Sequence, residues 1–256
     1  MERGRPRGRA PRPADRAALE APPPPEVPRW RFWPVLFSAI AAFVVATVAA
    51  LVAARALDIP IRVDQLTPQQ VAILTGSQDL TLAVLLLLLL RAWPKVRPAD
   101  LGFRSPPAPQ LGLAVGGGLW VMTFGIAELQ AAVFGAHPQS LIVAASANRS
   151  VEGLVLYLVL GAALVGVVEE LFFRAVLFTL FRQRMRFVYA AVLSSTFFAL
   201  VHEVTAWLPV FAVGIALAYL YERRHSLWTN ALAHGTFNAI SFILLFVLPN
   251  LGNQGS

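Results

Sequence analysis

The stretch VVEELFFR, residues 167–174, places two glutamates and an arginine inside a run of apolar side chains. A charge at bilayer depth costs on the order of several kcal/mol unless it is paired or faces a wet cavity. On a helix, Glu170 and Arg174 are four residues apart and share a face, so they can form an ion pair. Glu169 is rotated by about 100° from Glu170 and faces elsewhere. The spacing therefore predicts a structural carboxylate at Glu170 and a free one at Glu169.

Two further apolar runs carry polar residues of the kind that do chemistry. FFALVHE places His202 at the end of one run, and LAHGTFNA places His234 and Asn238 four residues apart on one helix face. Counting about 1.5 Å per residue from the nearest arginines puts Glu169 and these three side chains about 15–24 Å deep. Three separate helices thus bring Glu, His, His and Asn to a similar level in a bilayer.

These residue types suffice for hydrolysis of an amide bond. A glutamate and a histidine can activate a water molecule. A second histidine with an asparagine can donate hydrogen bonds to the oxyanion of a tetrahedral intermediate. A zinc route is also open, with Glu169, His202 and His234 as ligands, but HEVTA (residues 202–206) lacks the second histidine of the usual zincin motif. We expect no obligatory cofactor, and a divalent metal such as zinc is the alternative.

Other polar residues have plainer interpretations. Asn238 could simply bond a neighbouring helix, a common use of polar residues between spans. Asp79, in TGSQDL, lies at a comparable depth, and helix packing is favoured for it over catalysis. The glycines at 116–118 predict close helix packing. Glu203, directly after His202, is a carboxylate able to perturb that histidine.

The elements that position these residues are membrane spans. The chain has 256 residues, of which 57% are hydrophobic and 14% are charged, so it is predicted to be a polytopic all-α bundle. Apolar runs of about span length occur at 32–54, 71–90, 111–134, 151–181, 187–208, 207–222 and 226–248. This pattern predicts about seven transmembrane helices, or eight if the run 151–181 is two helical pieces.

The net charge of +7 orients the chain in the lipid bilayer and indicates no nucleic-acid partner. Arginine and lysine are concentrated before residue 32 and at 91–104, 182–186 and 223–224, whereas the alternate loops are poor in both. This alternation predicts a cytoplasmic N-terminus. We divide the chain into a disordered Arg/Pro-rich cytoplasmic tail at 1–30, N-terminal transmembrane helices at 31–145, and a catalytic helix bundle at 146–250.

The three motifs together resemble a known family. EELFFR matches the EExxxR motif, FALVH the FxxxH motif and HGTFN the HxxxN motif of the CPBP family. These are the CAAX proteases and bacteriocin-processing enzymes, also called the Abi family, related to the type II CAAX prenyl endopeptidases. The resemblance covers about residues 150–245. Each motif alone is weak, but three in this order within apolar runs are a specific signal.

The resemblance implies an all-helical intramembrane endopeptidase whose cavity opens toward the cytoplasm. In such an enzyme Glu169 would activate water together with His202, and His234 with Asn238 would form the oxyanion site. The family is often labelled as metalloproteases. The residues of its site are also chemically sufficient for a glutamate protease that uses no metal.

By the same resemblance, Glu170 and Arg174 would support the site by holding their helix. The implied substrate is a membrane-associated peptide or protein, and the implied location is a bacterial inner membrane.

The sequence also allows two functions other than proteolysis. The first is a non-enzymatic membrane partner or bacteriocin-immunity protein on the same scaffold. The second is a proton-coupled transporter that uses Glu169, His202 and His234 as a relay. Retention of all three motifs favours the enzyme, and the internal repeats expected of a transporter are not visible in the sequence.

Overall fold

The computed structural model describes residues 30–60, 62–93, 96–135, 139–147 and 149–248. The predicted tail, residues 1–30, lies outside this part of the chain except for its last residue. Every regular element in the described residues is helical, so the predicted all-α class is confirmed.

The described residues form eight helices and three short 3₁₀ turns, which are joined by loops. We number the helices α1 Phe32–Ala56, α2 Pro68–Ala92, α3 Pro109–Phe134, α4 Ser140–Ala147, α5 Val151–Arg182, α6 Phe187–Leu200, α7 Trp207–Arg224 and α8 Leu227–Val247. The 3₁₀ turns are Val63–Gln65, Pro98–Leu101 and Val204–Ala206. The division predicted between residues 145 and 146 falls in the last turn of α4, and it stays a prediction.

The described residues include six helices that are long and apolar enough to cross a membrane, and α6 is a shorter apolar one. Many large apolar side chains on their outer faces are exposed, as a lipid environment requires. The predicted polytopic bundle is therefore confirmed. The run 151–181 lies in one helix of 32 residues, so the alternative of eight spans, which needed two pieces there, is wrong.

Interhelical contacts define two ends of the bundle. At the first end, the backbone N–H of Trp30 donates to Gln183 (2.9 Å) and Arg182 pairs with Glu222 (2.9 Å). The N–H of Leu227 donates to the carbonyl of Gly102 at this end as well (3.2 Å). We call it the arginine-rich end, because the loops that meet there carry most of the arginines.

The opposite end is tied together by other pairs. Gln69, in the first turn of α2, donates to Glu152 in the first turn of α5 (3.1 Å). The backbone N–H and the hydroxyl of Ser140, which begins α4, donate to the carboxylate of Glu203 (2.8 and 3.2 Å). Glu203 is therefore engaged by α4, and within the described residues no hydrogen bond or ion pair joins its carboxylate to His202.

Helix α5 is the central element of the bundle. All residues from Glu170 to Phe181 are buried, in contact with α1, α6, α7 and α8. Two stretches of α5 are π-helical, Tyr157–Leu164 and Leu171–Phe178, and they flank the α-helical turn Val165–Glu170. A π-helix is rare and occurs frequently at functional sites. Because it widens the turn, it resets the direction in which the following side chains point.

Helix α6 is shorter than the six spanning helices. Its 14 residues span about 21 Å, less than the hydrocarbon thickness of about 30 Å. After Leu200 the chain turns through residues 201–206 and returns alongside α6 as α7. The indole N–H of Trp207 donates to the carbonyl of His202 and closes this turn (3.0 Å).

Glycines let α8 approach α3 and α5 closely. A Cβ atom on Gly116 would lie 2.6 Å from the carbonyl oxygen of Ala233 on α8, whereas one on Gly117 or Gly118 would meet nothing within 4 Å. The close packing predicted for residues 116–118 is thus confirmed for Gly116 and wrong for the other two. On α5, a Cβ atom on Gly166 would lie 3.0 Å from backbone atoms of α8.

This difference within one glycine triplet yields a matched prediction. Gly116→Ala should destabilise the fold by about 1–3 kcal/mol, because the added methyl group overpacks the contact between α3 and α8. Gly117→Ala, one residue further on, should be neutral or stabilising, since alanine favours a helix over glycine by about 1 kcal/mol. Melting temperatures in detergent measure both effects, and equal melting temperatures for the two variants would contradict the packing described here.

Candidate active site

Six helices enclose a cavity of about 300 Å³. Side chains from α2, α4, α5, α6, α7 and α8 line it. All four residues that the sequence singles out for chemistry, Glu169, His202, His234 and Asn238, lie on its wall. The structure therefore brings together the four residues that the sequence predicts to lie at a similar depth in the bilayer.

Glu170 lies behind this wall and has no exposed surface. Its Oε1 atom is 2.9 Å from Nη1 of Arg174 and 2.9 Å from Nδ1 of His234. Its Oε2 atom accepts a hydrogen bond from Nδ2 of Asn230 (3.1 Å). The predicted ion pair between Glu170 and Arg174 is confirmed. Because an ionised carboxylate only accepts hydrogen bonds, Nδ1 of His234 carries a proton.

Arg174 extends this group of contacts to two more helices. Its guanidinium carbon lies 4.4 Å from the centre of the Phe198 ring on α6, a cation–π contact. Its Nη2 atom donates to the carbonyl of Gly214 on α7 (3.4 Å). The arginine is 1% exposed, so its charge depends on Glu170 for compensation.

Asn230 is a site-supporting residue that the sequence prediction missed. Besides its bond to Glu170, its Nδ2 atom donates to the carbonyl of Leu217 on α7 (2.8 Å). One signal could have found it: Asn230 lies four residues before His234 and eight before Asn238, so all three share a face of α8. We call Glu170, Arg174, Asn230 and the Nδ1 side of His234 the buried cluster.

Glu169 has the free carboxylate that its rotation on the helix predicts. Its side chain is 20% exposed, and its Oε2 atom lies 3.6 Å from Nε2 of His234. That separation exceeds the usual length of a hydrogen bond. Oε2 has no hydrogen-bond partner within the described residues. The two adjacent glutamates therefore have different surroundings, one enclosed by donors and the other at the cavity wall.

His202 is oriented by the backbone of its own helix. Its Nδ1 atom lies 2.7 Å from the carbonyl oxygen of Phe198. A carbonyl oxygen only accepts, so Nδ1 carries a proton, and in the neutral ring Nε2 is then an acceptor. This tautomer leaves His202 able to take a proton at Nε2.

Asn238 bonds across to α5. Its Nδ2 atom donates to the carbonyl of Gly161 (2.9 Å), which lies in the first π-helical stretch. The interhelical bond that the sequence offers as the plainer interpretation is therefore present, and the residue lies on the cavity wall as well. The second N–H of the amide group remains available to a ligand in the cavity.

Asp79 brings another carboxyl group to the cavity. It belongs to α2, is 6% exposed and lines the same cavity as Glu169. The sequence favours helix packing for Asp79, and only the approach of α2 to α5 shows that it faces the site.

The donor atoms are not arranged as a zinc site. Within the described residues no group of three or more His, Cys, Asp or Glu side chains is placed to hold a metal ion. Nδ1 of His234 is engaged by Glu170 and Nδ1 of His202 by a carbonyl, so each ring offers a metal only its Nε2 atom. We therefore derive no catalytic step through a metal.

Comparison with known proteins places the three motifs in a family. Residues 151–240 match the family model described as Type II CAAX prenyl endopeptidase Rce1-like. A Bacillus subtilis (strain 168) protein named "Putative membrane peptidase YdiL" is 27% identical over 180 residues, covering 66% of this chain and 69% of that protein. No solved structure matches the chain. Both matches support the CPBP family of CAAX proteases, which the three motifs resemble.

The buried cluster yields a stability prediction. Glu170→Gln removes the negative charge that compensates Arg174, and an unpaired buried cation costs about 3–5 kcal/mol. We therefore expect a marked fall in the melting temperature of the purified protein in detergent. Arg174→Ala should lower it as well, because it leaves the buried carboxylate without its cation.

Glu169→Gln is the matched control, since it makes the same chemical change one residue earlier at the cavity wall. It should melt close to the native temperature. If Glu170→Gln melts at the native temperature while Glu169→Gln does not, the assignment of the structural carboxylate is reversed.

Proposed function

We propose that this chain is an intramembrane endopeptidase, which hydrolyses a peptide bond of a membrane-associated protein or peptide. One observation carries the proposal: the free carboxylate of Glu169 and the free Nε2 of His202 line the same cavity within a bundle of membrane-spanning helices. The match of residues 151–240 to the family model supports it. We place the enzyme in a bacterial inner membrane with its N-terminus in the cytoplasm.

In this proposal the first step is the activation of water. Glu169 acts as the general base, and His202 orients the water or shares its proton through Nε2. The hydrogen bond from Nδ1 of His202 to Phe198 holds the ring in the tautomer that this role needs. The activated water attacks the carbonyl carbon of the peptide bond, and the proton it loses passes to the leaving amine.

The second element is stabilisation of the oxyanion that this attack creates. Asn238 can donate its remaining amide N–H to the oxyanion, since its other contact is the carbonyl of Gly161. His234 can donate from Nε2 when its ring carries two protons, because Nδ1 is committed to Glu170. The contact of Nδ1 with Glu170 fixes the ring, so the buried cluster positions His234 for its role.

The proposal predicts a separation of activity from stability at Glu169. Purified protein in liposomes should release product from a library of membrane-anchored peptides. Glu169→Gln should reduce the rate by 10²-fold or more, as loss of a general base commonly does, with an unchanged melting temperature. Glu152→Gln is the control, because Glu152 lies on the same helix but is exposed and bonded to Gln69.

Two outcomes would contradict the proposal. If Glu169→Gln retains near-normal activity, Glu169 is not the base. If the native protein is folded and silent across the library but co-purifies with one partner, the non-enzymatic alternative is favoured.

We also propose that a metal ion is not required, because the two histidines and the carboxylates do not form a zinc site. Protein purified without added metal should keep its rate of peptide release after treatment with a chelator. Stoichiometric zinc in such a preparation, with activity lost on chelation and restored by zinc, would overturn this proposal and favour Glu169, His202 and His234 as ligands.

A further inference from the structure

The cavity occupies only one half of the bundle. On α2 its lining residues run from Pro68 to Asp79, whereas the arginine of that helix, Arg91, is near the other end. On α5 they run from Leu156 to Glu169, with Arg182 at the far terminus. By helix rise, Asp79 is about 18 Å and Pro68 about 34 Å from Arg91. The cavity therefore extends from the middle of the membrane away from the arginine-rich end.

The returning helices show the same polarity. On α8, which starts next to Arg224, the lining residues lie between His234 and Phe242. On α7, which ends at Arg224, they are Val210 and Val213, near its beginning. Gln139 and Leu141, at the start of α4, lie at the end opposite the arginines and line the cavity too.

The arginine-rich half is filled with side chains. From Glu169 toward the arginine-rich end, every residue of α5 from Glu170 to Phe181 is buried. Leu217 and Tyr221 on α7 are buried as well. The rings of Phe178 and Tyr221 pack edge to face, 6.2 Å between centres. This packed half leaves the cavity no route to the arginine-rich end.

The two ends differ in charge in the way that orients membrane proteins. Among the described residues, the arginine-rich end carries Arg31, Arg91, Arg97, Arg104, Arg182, Arg184, Arg186, Arg223 and Arg224. The described residues of the opposite end carry three arginines, Arg55, Arg62 and Arg149. By the positive-inside rule the arginine-rich end lies in the cytoplasm. A cytoplasmic arginine-rich end and the cytoplasmic cavity opening implied by the family resemblance cannot both hold.

We propose that the cavity opens on the outer, non-cytoplasmic face of the membrane, and that the substrate is a peptide segment exposed on that face. The proposal rests on the peptidase function proposed above. Gln139 lies at the mouth, and Thr75 and Gln78 line the wall behind it. These uncharged polar groups suit the N–H and carbonyl groups of an incoming peptide backbone. Stacked Tyr157 and Phe242 (4.9 Å between ring centres) form an apolar wall.

This geometry selects among membrane-associated substrates. A segment of an exported or membrane-anchored protein that emerges on the outer face reaches Glu169 through the mouth. A lipidated C-terminal tail displayed on the cytoplasmic face meets the packed half instead. The substrate class is therefore the outward-facing part of a membrane-anchored protein or peptide.

The absence of cysteine from the 256 residues allows a direct test. Three single-cysteine variants of the full chain are made: Gln139→Cys at the cavity mouth, Gln65→Cys on the same end outside the cavity, and Arg186→Cys at the arginine-rich end. Intact bacterial cells that express each variant are treated with a membrane-impermeant sulfonated maleimide, before and after permeabilisation. Gln65 and Arg186 are exposed and serve as references for the two faces.

We expect the cysteines at 139 and 65 to react in intact cells, and the cysteine at 186 to react only after permeabilisation. Reaction of the cysteine at 186 in intact cells, with 65 protected, would show the inverted orientation and overturn the proposal. Reaction of the cysteine at 139 only after permeabilisation, or not at all, would show that the mouth does not open to the outer face and would overturn it equally.

A second measurement separates this inference from the proposed peptidase function. Each variant's rate of release from the membrane-anchored peptide library is compared with and without the maleimide label. The label at position 139 should abolish release, whereas the label at 65 should leave it unchanged. If the native protein releases no peptide, the peptidase proposal fails, while the labelling pattern alone still decides which face the cavity opens to.

Discussion

The site depends on the burial of one carboxylate. Glu170 has no exposed surface, and its oxygens are approached by Arg174, Asn230 and His234 from two helices. A charge in such surroundings is tolerated only when it is compensated and hydrogen-bonded. Since Arg174 reaches α6 and α7 as well, the need to satisfy this carboxylate fixes the positions of four helices relative to one another.

The same constraint explains why two adjacent glutamates differ. Consecutive residues of a helix are rotated by about 100°, so when Glu170 faces its three donors, Glu169 faces the cavity. The buried cluster also holds His234 by its Nδ1 atom, so that its Nε2 atom faces Glu169. A buried, charge-compensated group thus positions the groups that remain free, which is the general requirement for preorganised chemistry.

The bundle is asymmetric along the membrane normal. Large apolar and aromatic side chains of α5 and α7 fill the arginine-rich half, from which α6 starts after Arg186, whereas the opposite half contains the cavity and the turn at 201–206. The short helix and the cavity are therefore two aspects of one arrangement, in which His202 reaches the site because α6 ends there.

The sequence by itself determined the membrane bundle, the pair Glu170–Arg174, the common depth of Glu169 and both histidines, and the family motifs. Each of these follows from composition or from spacing within one helix, where periodicity is known in advance. Only the tertiary structure decided that Asn230 and Asp79 join the site, which of three glycines packs on α8, and which half of the bundle holds the cavity. These features depend on the rotation and register of one helix against another, which the π-helical stretches of α5 alter and no local pattern records.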